Sequence, residues 1–298
     1  MQISTNSFYS TAASRMSQMS ARASDLQTEL ATGKKLQKPS DDPAAAQQIA
    51  ELDRKDADAT VYGSNMTLAG SLLDQADSVL TQIQTQMTRA TELATQAATG
   101  TQNDASRKNI ATELKSIIDS LVTLANTKNV RGQSLFGTPG GTSAVTNNGD
   151  GTFTFPTATV SEIPIADGQS VQATESAQRI FDIGGGNNSL AMLSKLAAAL
   201  DAGGDVSTAV SQSLDGLSAA TDQIANVQAS VGARGARIEL QQQLLTTANT
   251  DRADLRGKLE QVDMSDTIVQ LQQMMTALSA AQSSFSKLSS LSLFNYLK

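Results

Sequence analysis

One regular spacing of apolar residues constrains the fold of this chain more than any other feature. Between Tyr62 and Ala97, apolar side chains alternate at intervals of four and three residues. This alternation lines one face of an α-helix with apolar groups, and such a face has to pack against another helix. The positions are Tyr62, Met66, Ala69, Leu73, Ala76, Leu80, Ile83, Met87, Ala90, Ala94 and Ala97. They predict a helical seam about 50 Å long.

Two further stretches carry related spacings. Between Ile110 and Leu124 apolar residues again recur every three or four positions, and between Val210 and Leu245 they recur every seven. Proline is absent from all three stretches, as an uninterrupted helix requires. These patterns predict three long amphipathic helices over most of residues 43–130 and 206–260, packed on one another within the chain.

Both ends of the chain repeat the pattern in a weaker form. In the C-terminal stretch even the polar residue Gln282 occupies a seam position. A seam of this kind favours pairing of the two ends with each other or with copies of themselves. The residues predicted to form this assembly seam are Met16, Met19, Leu26, Leu30, Leu271, Met275, Leu278, Phe285 and Leu288.

The two ends present more apolar surface than a single chain is expected to cover. Residues 264–297 contain fourteen large apolar side chains, whereas the N-terminal segment is rich in Ser, Ala and Thr. Ordering both segments costs conformational entropy that incomplete burial does not offset. We therefore expect the ends to be disordered in the monomer and to become helical only when many chains pack together.

The middle of the chain differs in composition. From Thr138 to about Gln172 it is rich in Gly, Thr, Asn and Pro. Residues Thr152–Phe155 and Thr157–Val160 are predicted to form short strands, preceded by a turn at residues 147–151. We expect a small insertion that contains β-structure.

These patterns together predict a mainly α fold. It is a long helical rod of antiparallel coiled-coil helices from both chain ends, with a small β-containing central insertion. Residues 1–42 and 262–298 are predicted to form a terminal coiled-coil segment. Residues 43–137 and 188–261 are predicted to form a helical rod domain, and residues 138–187 the insertion.

The composition removes most enzyme classes. The chain has no His, no Cys and no Trp, so it lacks an imidazole base, a thiol nucleophile and the usual zinc ligands. Its 22 basic and 29 acidic residues give a net charge of −7, which disfavours nucleic acid and anionic membranes as partners. The N-terminal sequence does not resemble a cleavable signal peptide, and no run of 18 apolar residues occurs. We expect a structural protein without cofactor or metal that, if exported, uses a route independent of a standard signal.

A short loop bounded by Pro39 and Pro43 places Asp41 and Asp42 side by side. Two adjacent carboxylates could act as an acid–base pair. In a loop that opens a helix, however, Ser40 or Asp42 more often accepts hydrogen bonds from the first free N–H groups, with Pro43 at the first helical position. We therefore favour a helix cap over a catalytic pair.

Two other motifs have two interpretations each. Lys34, Lys35 and Lys38 form a basic cluster that could contact an acidic partner or complement the dipole at the end of a preceding helix. Gly184–Gly186 could cradle a phosphate, but the Gly-Lys-Ser or Gly-Lys-Thr of a phosphate loop does not follow. A hinge is the favoured interpretation of the glycines, whereas the two for the lysines stay open.

Several short motifs stand at both ends of the chain. They include Ile3–Asn6, Gln27–Gly33, the loop formed by Pro39, Ser40, Asp41, Asp42 and Pro43, then Glu92–Ala94 and Val231–Arg234. Together they resemble the bacterial flagellin family over about residues 1–137 and 205–298. The ending, with Leu291, Leu293, Phe294 and Tyr296, is more similar to flagellin-like proteins of the hook–filament junction than to filament flagellins.

The resemblance implies how such a chain is used. In this family the two terminal segments pair as a coiled coil that lines a tubular core, the adjacent helices surround it, and the central region faces outward. Subunits pass unfolded through a type III export channel and fold on assembly. The implied location is the extracellular flagellum. The implied partners are copies of the chain, a neighbouring hook-associated protein, flagellin and an export chaperone.

Two related functions are open at this point. The first is a structural subunit that joins hook to filament by coiled-coil assembly after export as an unfolded chain. The second is a junction-like flagellin that itself polymerises into the filament. A soluble export chaperone or adaptor is a third possibility from a different class, and it would have folded ends in the monomer.

Overall fold

The computed structural model describes residues 2–99, 102–129, 131–138, 141, 143–156 and 162–294, with side chains for all of these except residues 2–6 and 289–294. Across this part of the chain there are seven α-helices and four short β-strands. The helices are α1 (Gln2–Thr32), α2 (Pro43–Ala98), α3 (Asp104–Ala125), α4 (Ala177–Phe181), α5 (Ser189–Ala202), α6 (Ser207–Glu260) and α7 (Met264–Phe294). The strands are β1 (Thr146–Asn147), β2 (Phe153–Thr154), β3 (Glu162–Ala166) and β4 (Gln169–Gln172). A mainly α fold with a small β-containing insertion is thus confirmed.

The chain divides into two compact units. Met1–Ala57 and Thr247–Lys298 form one, which we call the terminal unit, and Asp58–Thr246 form the other, the central unit. Helices α2 and α6 each contribute residues to both units. The hydrophobic core of buried residues belongs to the central unit.

The core of the central unit is built on the predicted seam of α2. Along that seam Met66, Leu80, Ile83 and Met87 are completely buried. The other helices add Ile110, Leu114, Ile117 and Leu121 from α3 and Val210, Leu217, Ile224, Val231 and Ile238 from α6. Tyr62, Leu124 and Leu245, at the ends of the three stretches, are partly buried and pack against the same core. The predicted spacings of all three helices are therefore confirmed as core positions.

The insertion contains two hairpins among the described residues. In the first, β1 pairs antiparallel with β2 across the predicted turn at residues 147–151. Strand β2 lies inside the predicted strand Thr152–Phe155, whereas the predicted strand Thr157–Val160 lies outside the described residues. The prediction of β-structure in this region is confirmed for its first strand.

The second hairpin is a structure that the sequence patterns above do not predict. Strand β3 pairs antiparallel with β4. The two strands are joined through Asp167–Gly168, a dipeptide typical of tight hairpin turns, with Gly168 at a φ of +64°. Ile165 and Val171 are 0% and 2% exposed. These two side chains attach the hairpin to the core of the central unit.

In the terminal unit, backbone hydrogen bonds attach the end of α1 to the segment between α6 and α7. Lys35 N donates to Glu260 O at 2.7 Å, and Val262 N donates to Gly33 O at 3.1 Å. Gly33 has a φ of +68°, the left-handed conformation that commonly ends a helix. Helix α1 therefore ends close to the point where α7 begins, and the two helices run antiparallel from there.

Both ends are helical in the single chain, which differs from the disorder expected above. The backbone bonds near Gly33 shorten the loop that must close when α1 and α7 meet, so pairing costs less entropy than for two free ends. Each helix also covers part of the apolar surface of the other. The cover is incomplete, because Phe8, Met264 and Met275 remain about half exposed.

Candidate assembly surface

The contact between α1 and α7 contains most of the predicted assembly seam. Its most buried residues are Ala23 and Leu26 on α1, at 4% and 1% exposure, and Thr267 on α7, at 5%. The half-buried residues are Met16, Met19 and Leu30 on α1 and Leu271, Met274, Leu278, Ala281 and Phe285 on α7. From Thr267 onward, the covered positions of α7 alternate at intervals of four and three residues, as in a coiled coil.

Two residues of the predicted seam are its most exposed members in the single chain. Met275 is 48% exposed and Leu288 is 46% exposed. The neighbouring Met274 is the half-buried methionine at this level of α7. Met275 and Leu288 are therefore available to partners other than the chain's own α1.

An aromatic cluster lies towards the other end of the pair. The rings of Tyr9 and Phe285 are 5.5 Å apart at 88°, an edge-to-face arrangement, and those of Phe8 and Tyr9 are 5.9 Å apart. The Tyr9 hydroxyl donates to Leu288 O at 3.3 Å. Edge-to-face pairs contribute about 0.5–1.5 kcal/mol beyond burial, so this cluster fixes the register of α1 against α7.

An apolar groove of about 570 Å³ runs beside the aromatic cluster. Its walls include Phe8, Met16 and Met19 from α1 and Phe285 and Leu288 from α7. Most of its lining is apolar, and Arg15 is its charged residue among those described. The groove extends the apolar seam to the surface of the terminal unit.

A second apolar stripe lies on α7 next to the seam. Met264, Ile268 and Met275 are 47%, 50% and 48% exposed. Their spacing of four and seven residues places them on one side of the helix, which we call the flanking face. Val269 is 51% exposed but is turned about a quarter-turn away from Ile268. Helix α7 thus has one apolar face against α1 and a second one open to solvent.

The loop between Pro39 and Pro43 has the capping role favoured above. Asp42 Oδ1 accepts hydrogen bonds from Ala44 N at 3.1 Å and Ala45 N at 3.0 Å. Pro43 is the first residue of α2. The Asp41 carboxylate accepts from Gln37 N and Lys38 N instead. Each carboxylate is used to hold backbone, and the cap prediction is confirmed for Asp42.

Ion pairs join α2 and α6 within the terminal unit. Arg252 Nε lies 2.7 Å from Asp56, and one guanidinium nitrogen of Arg256 lies 2.6 Å from Asp53 and 3.0 Å from Asp56. The hydrogen bond from Arg252 lowers the pKa of Asp56 below its ordinary value of 3.8, although partial burial acts in the opposite direction. These ion pairs give the two helices polar contacts in addition to buried apolar residues such as Leu52.

The basic cluster is divided between two surroundings. Lys34 Nζ lies 2.9 Å from the Glu260 carboxylate of the same chain. Lys35 and Lys38 line a polar cleft of about 820 Å³ together with acidic residues such as Asp25 and Asp263. Lys34 therefore has an acidic partner inside the terminal unit, and it also follows the end of α1.

The C-terminal family motif is described in part. Leu291, Leu293 and Phe294 belong to the last turns of α7, where the backbone is described and the side chains are not. Tyr296 lies outside the described residues. Pro39 and Ser40 are exposed in the loop that precedes α2.

Sequence reasoning missed one charged cluster in the central unit. Glu175 is 3% exposed, and its carboxylate lies 2.6 Å from Arg234 and 2.8 Å from Arg179. Arg234 also donates to Gln172 O at 2.9 Å and Thr174 O at 3.1 Å. Arg234 belongs to the Val231–Arg234 motif, so this arginine attaches the segment after β4 to α6.

Neither a metal site nor a membrane-spanning helix is found among the described residues. They contain no group of three or more acidic side chains placed to hold a metal ion. Within the same residues, no helix combines the length and the apolar character needed to cross a membrane.

A family model matches the N-terminal part of the chain. It is the model of the bacterial flagellin N-terminal helical region, and it matches residues 3–138. This stretch includes α1 except its first residue, the capping loop, α2 and α3. The match agrees with the motifs that resemble flagellins.

Two curated relatives carry the same name. The chain is 27% identical to flagellar hook-associated protein 3 of Escherichia coli over an alignment of 291 residues, and the match covers 91% of this chain and 91% of that protein. It is 31% identical to flagellar hook-associated protein 3 of Salmonella typhimurium over 136 residues, 46% of this chain. The second match spans less than half of that relative, 43% of its length.

The fold is also similar to a solved structure. A flagellar hook-associated protein from Vibrio parahaemolyticus superposes with a TM-score of 0.69 and 23% sequence identity. The superposition covers 74% of this chain and 100% of that chain. At this identity the similarity concerns the fold.

Proposed function

We propose that this chain, a member of the bacterial flagellin family, is a structural subunit of the flagellum that joins the hook to the filament. It is a structural protein and not an enzyme, and its location is the extracellular flagellum. Like its relatives, which are named for the flagellar hook, it assembles with other flagellar components. The similarity to hook-associated protein 3 along 91% of the chain supports this proposal.

The observation that carries the proposal is the flanking face of α7. The chain's own α1 covers the seam but leaves Met264, Ile268 and Met275 about half exposed. Exposed apolar stripes on soluble proteins mark interaction sites. Residues 267–286 contain no charged side chain, so another helix can cover this face without burying an unpaired charge.

The mechanism is mechanical. Copies of the chain pack through the flanking face and the apolar groove, which extend the seam of Leu26, Leu278 and Phe285 from one chain to the next. Residues 1–42 and 262–298 form the core of this assembly, residues 43–137 and 188–261 the helical domain around it, and residues 138–187 its outward-facing insertion. Burial of the exposed methionine, isoleucine and leucine side chains supplies the assembly free energy.

The individual binding partners are inferred from the same surface. Within a short ring, copies of the chain contact one another, a neighbouring hook-associated protein lies on one side and flagellin on the other. Before assembly an export chaperone covers the apolar residues of α7. The chain passes through the export channel unfolded, and because it has no cysteine no disulfide opposes that unfolding.

A pair of α7 variants tests the proposal. Ile268→Asp places a carboxylate in the middle of the flanking face, and Gln273→Asp places the same group on an exposed part of α7 about 140° away around the helix axis. Both should leave the helical circular dichroism of the purified chain unchanged. In a strain that lacks the native protein, Ile268→Asp should abolish incorporation and swimming, because assembly would bury an unpaired charge, and Gln273→Asp should restore both.

The same strain separates a junction role from other roles. Without the chain, cells should build hooks and release flagellin into the medium. Filaments of normal length on cells that lack the chain would contradict the proposal, as would normal incorporation of Ile268→Asp.

A further inference from the structure

We infer that Met264 and Met275 are modification sites at which a hydroperoxide oxidises the unassembled chain, and that this oxidation prevents assembly. The consequence for assembly rests on the proposed function. The oxidation itself rests on the distribution and exposure of the methionines alone.

Methionine is the main oxidisable side chain of this protein. The chain has nine Met, no Cys and no Trp. Among the methionines whose side chains are described, five lie on the terminal helices and three in the central unit. Those on the terminal helices are Met16, Met19, Met264, Met274 and Met275, and those in the central unit are Met66, Met87 and Met192.

The most buried and the most exposed of these methionines differ sharply in exposure. Met66 and Met87 are 0% exposed in the core, whereas Met264 and Met275 are 47% and 48% exposed. Met274, next to Met275 in the sequence, is half-buried against α1. Oxidation of a thioether follows its access to the oxidant, so the structure orders these sulfur atoms by reactivity.

The chemistry needs no catalyst from the protein. The thioether sulfur attacks one oxygen of hydrogen peroxide, an S–O bond forms as the O–O bond breaks, and water leaves after proton transfer. The sulfur is oxidised by two electrons and the peroxide is reduced by two. The product is a sulfoxide, a polar and chiral group in place of a flexible apolar one.

A sulfoxide on the flanking face opposes the contact proposed there. Met264 and Met275 lie on either side of Ile268 on this face, so a helix that covers it buries both sulfur atoms among apolar groups. A buried sulfoxide oxygen without a donor loses its hydrogen bonds to water. Once the face is covered by another copy, the same burial protects both residues, so the sensitive interval is the one before assembly.

Peptide mapping tests the oxidation sites on the full-length chain. After a peroxide time course, trypsin releases Met16 and Met19 in residues 16–22, Met66 and Met87 in residues 56–89, and Met264, Met274 and Met275 in residues 259–287. Fragment ions that break the chain between these residues, including the bond between Met274 and Met275, then measure the oxidation of Met264, Met274 and Met275 separately. Met264 and Met275 should oxidise at least about tenfold faster than Met66 and Met87, and the chain in denaturant should lose this difference.

Incorporation tests the consequence. Wild type, Met264→Leu/Met275→Leu and the control Met192→Leu are each compared before and after peroxide, so that every variant serves as its own reference. Peroxide should lower the incorporation of wild type and of Met192→Leu by about tenfold or more. The double variant should lose much less, because leucine cannot form a sulfoxide.

The outcomes separate the two proposals. Equal oxidation rates at buried and exposed methionines would overturn the assigned sites. Treated wild type that incorporates as well as untreated wild type would overturn the effect on assembly. Failure of untreated wild type to incorporate would instead contradict the proposed function, and the peptide map would still decide where oxidation occurs.

Discussion

The central and terminal units bury apolar residues to very different extents. In the central unit Met66, Leu80, Ile83 and Met87 have no exposed surface, and three long helices and a hairpin close around them. In the terminal unit one pair of helices covers a narrow seam, and Met264 and Met275 on α7 stay about half exposed. Ion pairs and backbone bonds supply contacts there that side-chain packing supplies in the central unit.

This difference teaches where stability and assembly are encoded. Core side chains that are already fully covered gain little from a further partner. A seam with one face uncovered gains the free energy of burial only when another helix arrives. Substitutions in the central unit should therefore change the stability of the monomer, and substitutions on α7 should mainly change assembly.

The largest effect on stability is expected when the side chain of a core leucine is truncated to alanine. Leu80→Ala removes a completely buried side chain and should lower the free energy of unfolding by about 3 kcal/mol. Leu271→Ala makes the same change at a partly buried position of α7 and should cost less, about 1–2 kcal/mol, since part of the side chain is already in water. Urea titrations followed by circular dichroism measure both. Equal losses of unfolding free energy in the two variants would contradict the difference between the units.

A smaller effect is expected from the charged cluster of the central unit. Arg234→Met leaves the Glu175 carboxylate, whose side chain is 4% exposed, with the ion pair to Arg179. The loss should be about 2 kcal/mol, because buried charged groups depend on their hydrogen bonds. Arg179→Met removes a side chain that is 48% exposed and should cost about 1 kcal/mol or less. Thermal unfolding of the two variants compares them, and a larger loss for Arg179→Met would contradict the geometry.

The smallest effect on stability is expected when the pH is lowered. Arg252 lowers the pKa of Asp56 below 3.8 by its hydrogen bond, so the carboxylate stabilises the α2–α6 pair above that ordinary value and this contribution is lost as the pH falls through the lowered pKa. The Asp56 side chain is 45% exposed, and after solvent screening the contribution is about 0.5 kcal/mol or less.

Hydrogen exchange can detect this contribution. Protection of residues 43–57 should fall slightly between about pH 5 and pH 3 in wild type. Asp56→Asn should have the lower protection at both values, and Asp254→Asn, at an exposed position of α6, should behave as wild type. If protection of these residues in wild type instead rose as the pH fell, the pH dependence would have the opposite sign, which would contradict the role of Arg252.

The long helices could be predicted from sequence because their period is local. On α2, α3 and α6, apolar residues recur every seven or every three to four positions. Helix geometry places residues with this spacing on one side of the helix, and on each of the three helices they form a buried stripe. The cap at Asp42 was also predictable, since a carboxylate followed by Pro43 has few other uses at the start of a helix. The hairpin at Asp167–Gly168 was predictable as well, since Asp-Gly between two short strands is a typical turn sequence.

Other features depend on contacts that no local pattern contains. Glu175 and Arg234 are 59 residues apart in sequence, and the carboxylate gives no sign that it will be buried. On α7 the adjacent Met274 and Met275 fit a seam equally well by spacing, and packing against α1 decides that Met274 is the more covered one. The assembly seam and the three-part division of the chain remain predictions, because both concern an assembly of several chains.

Cryo-microscopy of intact flagella from a strain that carries an epitope in the insertion tests the central claim most directly. An epitope after Gly149, at the exposed tip of the first hairpin, leaves the terminal unit untouched. We predict that labelled protein forms a short band between the hook and the filament, with α7 packed against neighbouring copies through Met264, Ile268 and Met275. Label along the whole filament, or a band in which that face is open to solvent, would contradict the account.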